Sequence, residues 1–237
     1  MEEEALQPEA AAMFRLRRGD DATPGVAEAL AHYLATKRNA LAPALGPREA
    51  RPAVMRAAAP AQAAAMMQPA GPDGDHGWEV AGAIAYRFQG VSAYAASTAA
   101  LCRRHGPIGG AWRSLLARAM QARGRAGWLT IEAFSVERAW RGRGFGTALL
   151  SWTVREAARL GTRGWHAEAP GCSVAARRLY ARAGAVEAGE VALGPLRPLL
   201  QLPVLIRIEA PFDGDKRSPA PYLQGVLAED RHTGSRP

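Results

Sequence analysis

Apolar and basic side chains alternate from Met13 to Arg17, the period of a short strand. Asp20, Asp21 and Thr23 follow as capping groups, with Pro24 placed for a first helical turn. Val26, Leu30, Tyr33 and Leu34 then recur at helical spacing, which predicts a helix over 24–38. Residues 40–62 are alanine-rich and broken by Pro43, Pro47, Pro52 and Pro60, so loop with one short helix is expected. Strands are predicted over 63–70 and 78–88, joined as a hairpin by the Gly71-Pro72-Asp73-Gly74-Asp75 turn. Two helical stretches, 93–105 and 109–122, are separated by Gly106-Pro107.

Residues 128–136 are rich in β-formers and read as a core strand. A glycine-rich turn from Arg141 runs directly into an amphipathic pattern in which Leu150, Val154, Ala157 and Ala158 mark one apolar face and Gly161 a stop. A short strand over 165–169, a helix over 173–182 closed by Gly184, and a last pair of strands over 186–193 and 202–209 complete the pattern. The acidic residues 1–12 are expected to be a loose leader and 211–237 a loose polar tail. No internal repeat is present. The order of elements predicts an α/β fold.

The chain has 237 residues, 48% of them hydrophobic, enough to bury a core with no disulfide or metal staple. Its two cysteines, Cys102 and Cys172, exclude a disulfide scaffold and the common cysteine zinc motifs. No apolar run approaches the ~20 residues of a membrane helix, and the start is acidic where a secretory leader would be basic. The expectation is a cytoplasmic protein with no membrane partner and no metal. The formal charge is +8, nearly all of it arginine. Nine arginines face three glutamates between Glu137 and Arg182. A compositional bias, nucleic acid or a multiply phosphorylated ligand would each account for that sign.

The strand–turn–helix at 128–161 bears on the choice. The first amides of a helix have no internal acceptor and carry the positive end of the dipole, so they attract anions. Glycines let phosphate oxygens approach the main chain, and Arg141 and Arg143 add charge at the mouth. A dinucleotide fingerprint fails, because Thr147 or Leu149 stands where its third glycine belongs. A P-loop fails for want of Gly-Lys-Ser/Thr. An arginine–glycine RNA tract sits in low-complexity surroundings, whereas this one opens a helix, so nucleic acid is not the expected partner. A glycine-rich turn without a ligand stays open.

Residues 136–150, with Arg141, Gly144 and Gly146 at the three positions of R/Q-x-x-G-x-G/A, resemble the acetyl-CoA-binding segment of the GNAT acetyltransferase superfamily. A second stretch, with Ser173, Ala176, Leu179, Tyr180, Gly184 and Ala185, is similar to that family's N-x-x-A-x-x-L-Y-x-x-x-G-F; Ser173 stands for the usual Asn and Ala185 for the usual Phe. The start, Phe14-Arg-Leu-Arg then Asp20-Asp21 and a helix, is a weaker third match. The resemblance covers about residues 13–210 and implies a GNAT-type fold, a mixed and mostly antiparallel sheet flanked by helices. The helical stretch 93–124 then stands as an insertion.

The resemblance implies acetyl-CoA as donor and an amine as acceptor, on a small molecule, peptide or protein. It assigns the pyrophosphate to the amides of Arg141, Gly142, Arg143, Gly144, Phe145, Gly146 and Thr147. The pantetheine arm falls to the backbone from Val136 to Arg138, with the Val136 N–H on the thioester carbonyl and Ser173 either bonding the pantetheine or capping its helix. A lysine-like amine must lose a proton at a cost of roughly 4.6 kcal/mol at neutral pH, so a base is needed. Glu132 is the candidate, since strand alternation would put it on one face with Val136; His166 is a weaker one, and a salt bridge to an arginine is the alternative role for Glu132. The departing thiolate needs a proton, and Tyr180 occupies the place of the family's acid, with core packing as its alternative role. Neither cysteine has a histidine placed to make it a nucleophile, so direct transfer is expected. The other readings are a catalytically weak acyl-CoA-binding module and an RNA binder; dimers are common among relatives.

Overall fold

Periodicity dictates two layers here: strands that alternate apolar and small residues, and helices with one apolar stripe, bury those faces only against each other. A computed structural model of the protein describes residues 14–18, 25–37, 42–47, 49, 51, 54, 64–69, 80–92, 98–119, 124–191 and 204–212. The elements are β1 (Phe14–Arg18), α1 (Val26–Lys37), α2 (Ala42–Leu45), β2 (Ala64–Pro69), β3 (Gly82–Phe88), β4 (Val91–Ser92) and α3 (Thr98–Ala119). They continue with β5 (Leu129–Val136), a 3-10 turn (Arg138–Trp140), α4 (Phe145–Arg159), β6 (Gly164–Pro170), α5 (Val174–Arg182), β7 (Val186–Glu190) and β8 (Leu205–Pro211). The expected leader and nearly all of the expected tail lie outside the described residues.

One sheet runs β1-β2-β3-β5-β6-β8-β7, with β4 paired on β3. Every pairing is antiparallel except β5 with β6. That is the mixed, mostly antiparallel sheet expected from the resemblance. Within the stretch 93–124 the described residues 98–119 form α3, which loses helical geometry at Gly106 (φ 76°, ψ 166°) ahead of Pro107, where a helix interior cannot accommodate proline.

Each face of the sheet has its own core. On one, α4 and α5 bury Leu149, Leu150, Trp152, Val154, Ala157 and Tyr180 against Ile84, Tyr86, Leu129, Ile131, Trp165 and Ile208. On the other, α1 buries Val26, Leu30, Tyr33 and Leu34 on Ala83 and Ala85 of β3, with Leu101 of α3 beside them. The alanines of β3 let α1 lie close. The buried surface of α4 is wider than the stripe read from sequence, because Trp152 leans on the Tyr86 ring (centroids 5.9 Å apart). Glu156 is drawn in as well. It accepts from the Tyr86 hydroxyl at 3.1 Å and from Arg159, which holds its carboxyl below the usual range.

Simple alternation fails in β5. Ala133 pairs with Ala85 and Ile131 with Tyr86, so Glu132 is an extra residue, a β-bulge. Leu129 and Ile131 therefore share the α4 face with Phe134 and Val136, although the numbers change parity. Glu132 turns to the opposite face and pairs with Arg87. The expectation that Glu132 and Val136 share a face is corrected by that one inserted residue.

The face bearing Glu132 carries a polar rung. Arg87, Thr130, His166 and Glu209 lie in register across β3, β5, β6 and β8. His166 is buried; its Nε2 lies 2.8 Å from the Thr130 hydroxyl, and its Nδ1 has no hydrogen-bond partner among the described residues. Burial depresses its pKa to about 4. The unfolded chain takes up that proton below about pH 6.5, whereas the folded chain resists until about pH 4. Stability is accordingly expected to fall by on the order of 3 kcal/mol as pH drops through this window. Urea denaturation at a series of pH values measures it. His166→Gln should flatten the upper part of that slope, whereas the Glu156 contribution is lost only as pH falls below its ordinary value of 4.5.

Candidate functional site

Pairing between β5 and β6 is brief. Leu129, Thr130 and Ile131 face Trp165, His166 and Ala167, and there it stops. Beyond Ile131, β5 stays with β3 through Val136, while β6 stays with β8 through Pro170. Two parallel strands thus diverge, leaving β5 without a strand partner on one side among the described residues.

Which amides point into the gap follows from the pairing with β3. The Glu137 N–H donates to the Ala81 carbonyl at 2.8 Å, so that pair is hydrogen-bonded. Antiparallel ladders alternate bonded and non-bonded pairs, and Val136–Gly82 and Phe134–Ile84 are the non-bonded ones. The N–H and C=O groups of Phe134 and Val136 therefore face the divergence. Consistently, the Val136 carbonyl accepts from Arg141 Nε at 3.1 Å.

The chain turns sharply at the open end of the gap. Gly144 is the residue before α4 and adopts φ 82°, a conformation that disfavours any residue with a Cβ. The first helical bond is from Ala148 to the Gly144 carbonyl, so the amides of Phe145, Gly146 and Thr147 precede the intrahelical ladder. Gly144, as the N-cap, brings no side chain of its own to the turn. A Cβ on Gly146 would meet Leu179 at 3.1 Å and Phe134 at 3.4 Å; glycine lets the helix start press against β5 and α5. Trp140 packs edge-on against Phe145 (5.9 Å), and the Arg143 guanidinium stacks on Trp140 (4.9 Å). Arg138, Arg141, Gly142 and Arg143 are exposed around the turn. These residues fit a diphosphate: oriented amides, a helix dipole and three cations. Elsewhere the arginine excess is partly structural, since Arg159 binds Glu156 and Arg177 binds both oxygens of Glu187 (2.6 and 2.9 Å).

Two candidate proton-transfer groups lie on opposite faces of the divergence. Tyr180 of α5 is buried, its ring against Phe134 of β5 (6.0 Å) and Trp165 of β6 (5.7 Å). Burial alone raises its pKa above the ordinary phenol value, which keeps it protonated at neutral pH. Glu132 is buried on the other face and held by Arg87, the ion pair that the sequence left as its alternative role. His166 belongs to the same face but is occupied with Thr130. Ser173 precedes α5, yet its hydroxyl makes no capping bond, so the capping role is not realised. Among the described residues, no cluster of His, Cys, Asp and Glu could hold a metal ion.

Glu168 is a residue the sequence reading missed. It follows Ala167, the last β6 residue paired to β5, and lies on the His166 face, half-buried and in register with Arg207. The signal was parity, two residues beyond His166, but nothing in one sequence says where the strands part.

Residues 79–185 match the family model described as Acetyltransferase (GNAT) family. No curated protein matches the chain. Among solved structures, the NatC complex bound to Gag peptide and CoA is similar with a TM-score of 0.52 at 12% identity, over 85% of this chain and 99% of that one. The Escherichia coli ribosomal-protein-S18-alanine N-acetyltransferase gives 0.44 at 13%, over 86% and 98%. Nourseothricin acetyltransferase gives 0.40 at 19%, over 62% of this chain and 65% of that one, so the chain spans less than two thirds of that relative's length. At 12% identity the likeness to the NatC structure speaks for the fold alone. The matched stretch, residues 79–185, holds β3, the bulge, the divergence, the glycine turn, α4 and α5, and it is over this stretch that the chain is similar to the GNAT acetyltransferases.

Proposed function

We propose that the chain moves an acetyl group from acetyl-CoA to a primary amine by direct transfer. The observation that carries this reading is the divergence of β5 from β6, with the Phe134 and Val136 main chain turned into it and a glycine-opened helix start at its open end. The amides of residues 141–147 hold the pyrophosphate, and the Arg141 and Arg143 side chains add affinity. The β5 edge from Val136 to Arg138 lines the pantetheine arm, with the Val136 N–H placed to polarise the thioester carbonyl.

The two faces divide the proton chemistry. On the α4 side, Tyr180 protonates the leaving sulfur; its raised pKa makes it a reluctant donor, so the phenol must act on a thiolate that is already forming. On the opposite side, Glu132 takes the proton from the amine, directly or through water, with Arg87 fixing its carboxylate. The acceptor thus enters from the α1 face and the donor lies in the gap. Cys102 and Cys172 are unbridged and take no part.

Isothermal titration should show CoA binding to the folded protein; no heat from a correctly folded sample would defeat the reading. Tyr180→Phe should lower kcat about a hundredfold while CoA affinity changes little. Equal loss of both would make the ring a packing element. Glu132→Gln should likewise lower turnover about a hundredfold for lysine-like amines and much less for α-amines, whose deprotonation costs only about 1.4 kcal/mol. Assays with a polyamine, an aminoglycoside and an N-terminal alanine peptide measure both. CoA binding without transfer to any of them would favour the binding-module reading.

A further inference from the structure

The half of α3 after Gly106 carries large side chains on its outer surface. Ile108, Trp112 and Leu115 are 86%, 62% and 60% exposed. Their spacing of four and then three residues aligns them in one stripe along the helix. Isolated exposed apolar residues are ordinary, but three of this size in a row are not. The helix is held so that this stripe faces out. Leu116 and Ala117 are buried with Ala44 of α2, and Ser114 hydrogen-bonds Thr98 at 2.6 Å across the kink. Rotation to hide the stripe would tear out that opposite face.

The electrostatics name the occupant. Residues 98–119 contain Arg103, Arg104, Arg113 and Arg118 and no acidic residue. Arg113 turns inward toward the Ala44 carbonyl, whereas Arg103, Arg104 and Arg118 are exposed. A second copy of this chain would oppose like charges across the contact. An anionic lipid surface satisfies each feature at once. Apolar side chains enter the acyl boundary, tryptophan settles at headgroup level, and arginines bind the lipid phosphates. Small neighbours, Gly109, Ala111 and Ala119, leave the three large side chains standing proud of the helix, as a planar partner requires.

We infer that the Gly106-kinked helix α3 is a peripheral docking element for anionic membrane surfaces, through Ile108, Trp112 and Leu115 flanked by Arg103, Arg104 and Arg118. This departs from the expectation of no membrane partner and is independent of the acetyl-transfer reading. It concerns lying on a bilayer; no helix among the described residues is long and apolar enough to cross one.

Co-sedimentation of the full chain with vesicles of phosphatidylcholine and phosphatidylglycerol, against pure phosphatidylcholine, tests it. Binding is expected for the anionic vesicles, with a blue shift of tryptophan emission that Trp112→Phe removes. The double variant Ile108→Ser/Leu115→Ser alters exposed positions only, should keep the wild-type thermal transition, and should weaken binding at least tenfold. Arg118→Gln should weaken it about fivefold. No binding to anionic vesicles overturns the inference, whether the chain is monomeric or pairs through this stripe. Binding that the double variant retains in full also overturns it, as diffuse attraction to a basic protein.

Discussion

The site depends on one hydrogen-bonding constraint: β5 cannot remain paired to both of its neighbours. Glu132 is an extra residue against β3, and a bulge bends its strand and increases its twist. With β6 committed to β8 along its whole length, the parallel contact ends after three residue pairs. Unpaired main chain is costly to bury, so such a gap persists in a fold when something polar and extended fills it. The gap and the edge amides that face it follow from this pairing, the turn at Gly144 is set locally by glycine, and the large core beneath α4 and α5 holds both in place.

The same irregularity separates the chemistry. Because the bulge reverses alternation, the face packed under α5 is apolar, with Tyr180 between Phe134 and Trp165. The other face carries the rung of Arg87, Thr130, His166 and Glu209 with Glu132 beside it. A low-dielectric side keeps a phenol protonated; on the polar side Arg87 holds the carboxylate in place. In the proposed reaction these are the two requirements of amine acylation, met on either side of one gap. Had strict alternation held, Glu132 would have pointed into the core with Val136, where a charge is expensive.

The α3 insertion interrupts the sheet's sequence, not its pairing, since β3 and β5 remain neighbours around it. Its first half contributes Leu101 to the core under α1, and its second half adds only a small contact with α2. The insertion is therefore anchored mainly through its first half, and its second half, held by the smaller contact, displays an apolar ridge with Arg118 beside it. That asymmetry separates it from an element that merely covers the sheet.

Local signals carried much of this. Alternation and helical spacing located the strands at 128–136 and 165–169 and the helices after Pro24, Gly144 and Ser173 to within about two residues, since each depends on neighbours in the chain. Gly106-Pro107 marked the break in α3 for the same reason, and the glycine turn with its arginines was readable as an anion site because helix ends and glycine act locally. What the chain could not disclose from within itself was long-range. The bulge exists only relative to β3, so the face of Glu132 was misread. Its partner Arg87 lies 45 residues away. Glu168 draws its interest from the place where β5 and β6 part, and the stripe on α3 from which side of that helix α2 covers. Propensity and period belong to the sequence; register, and with it the side of the sheet on which each charge resides, was decided only by tertiary pairing.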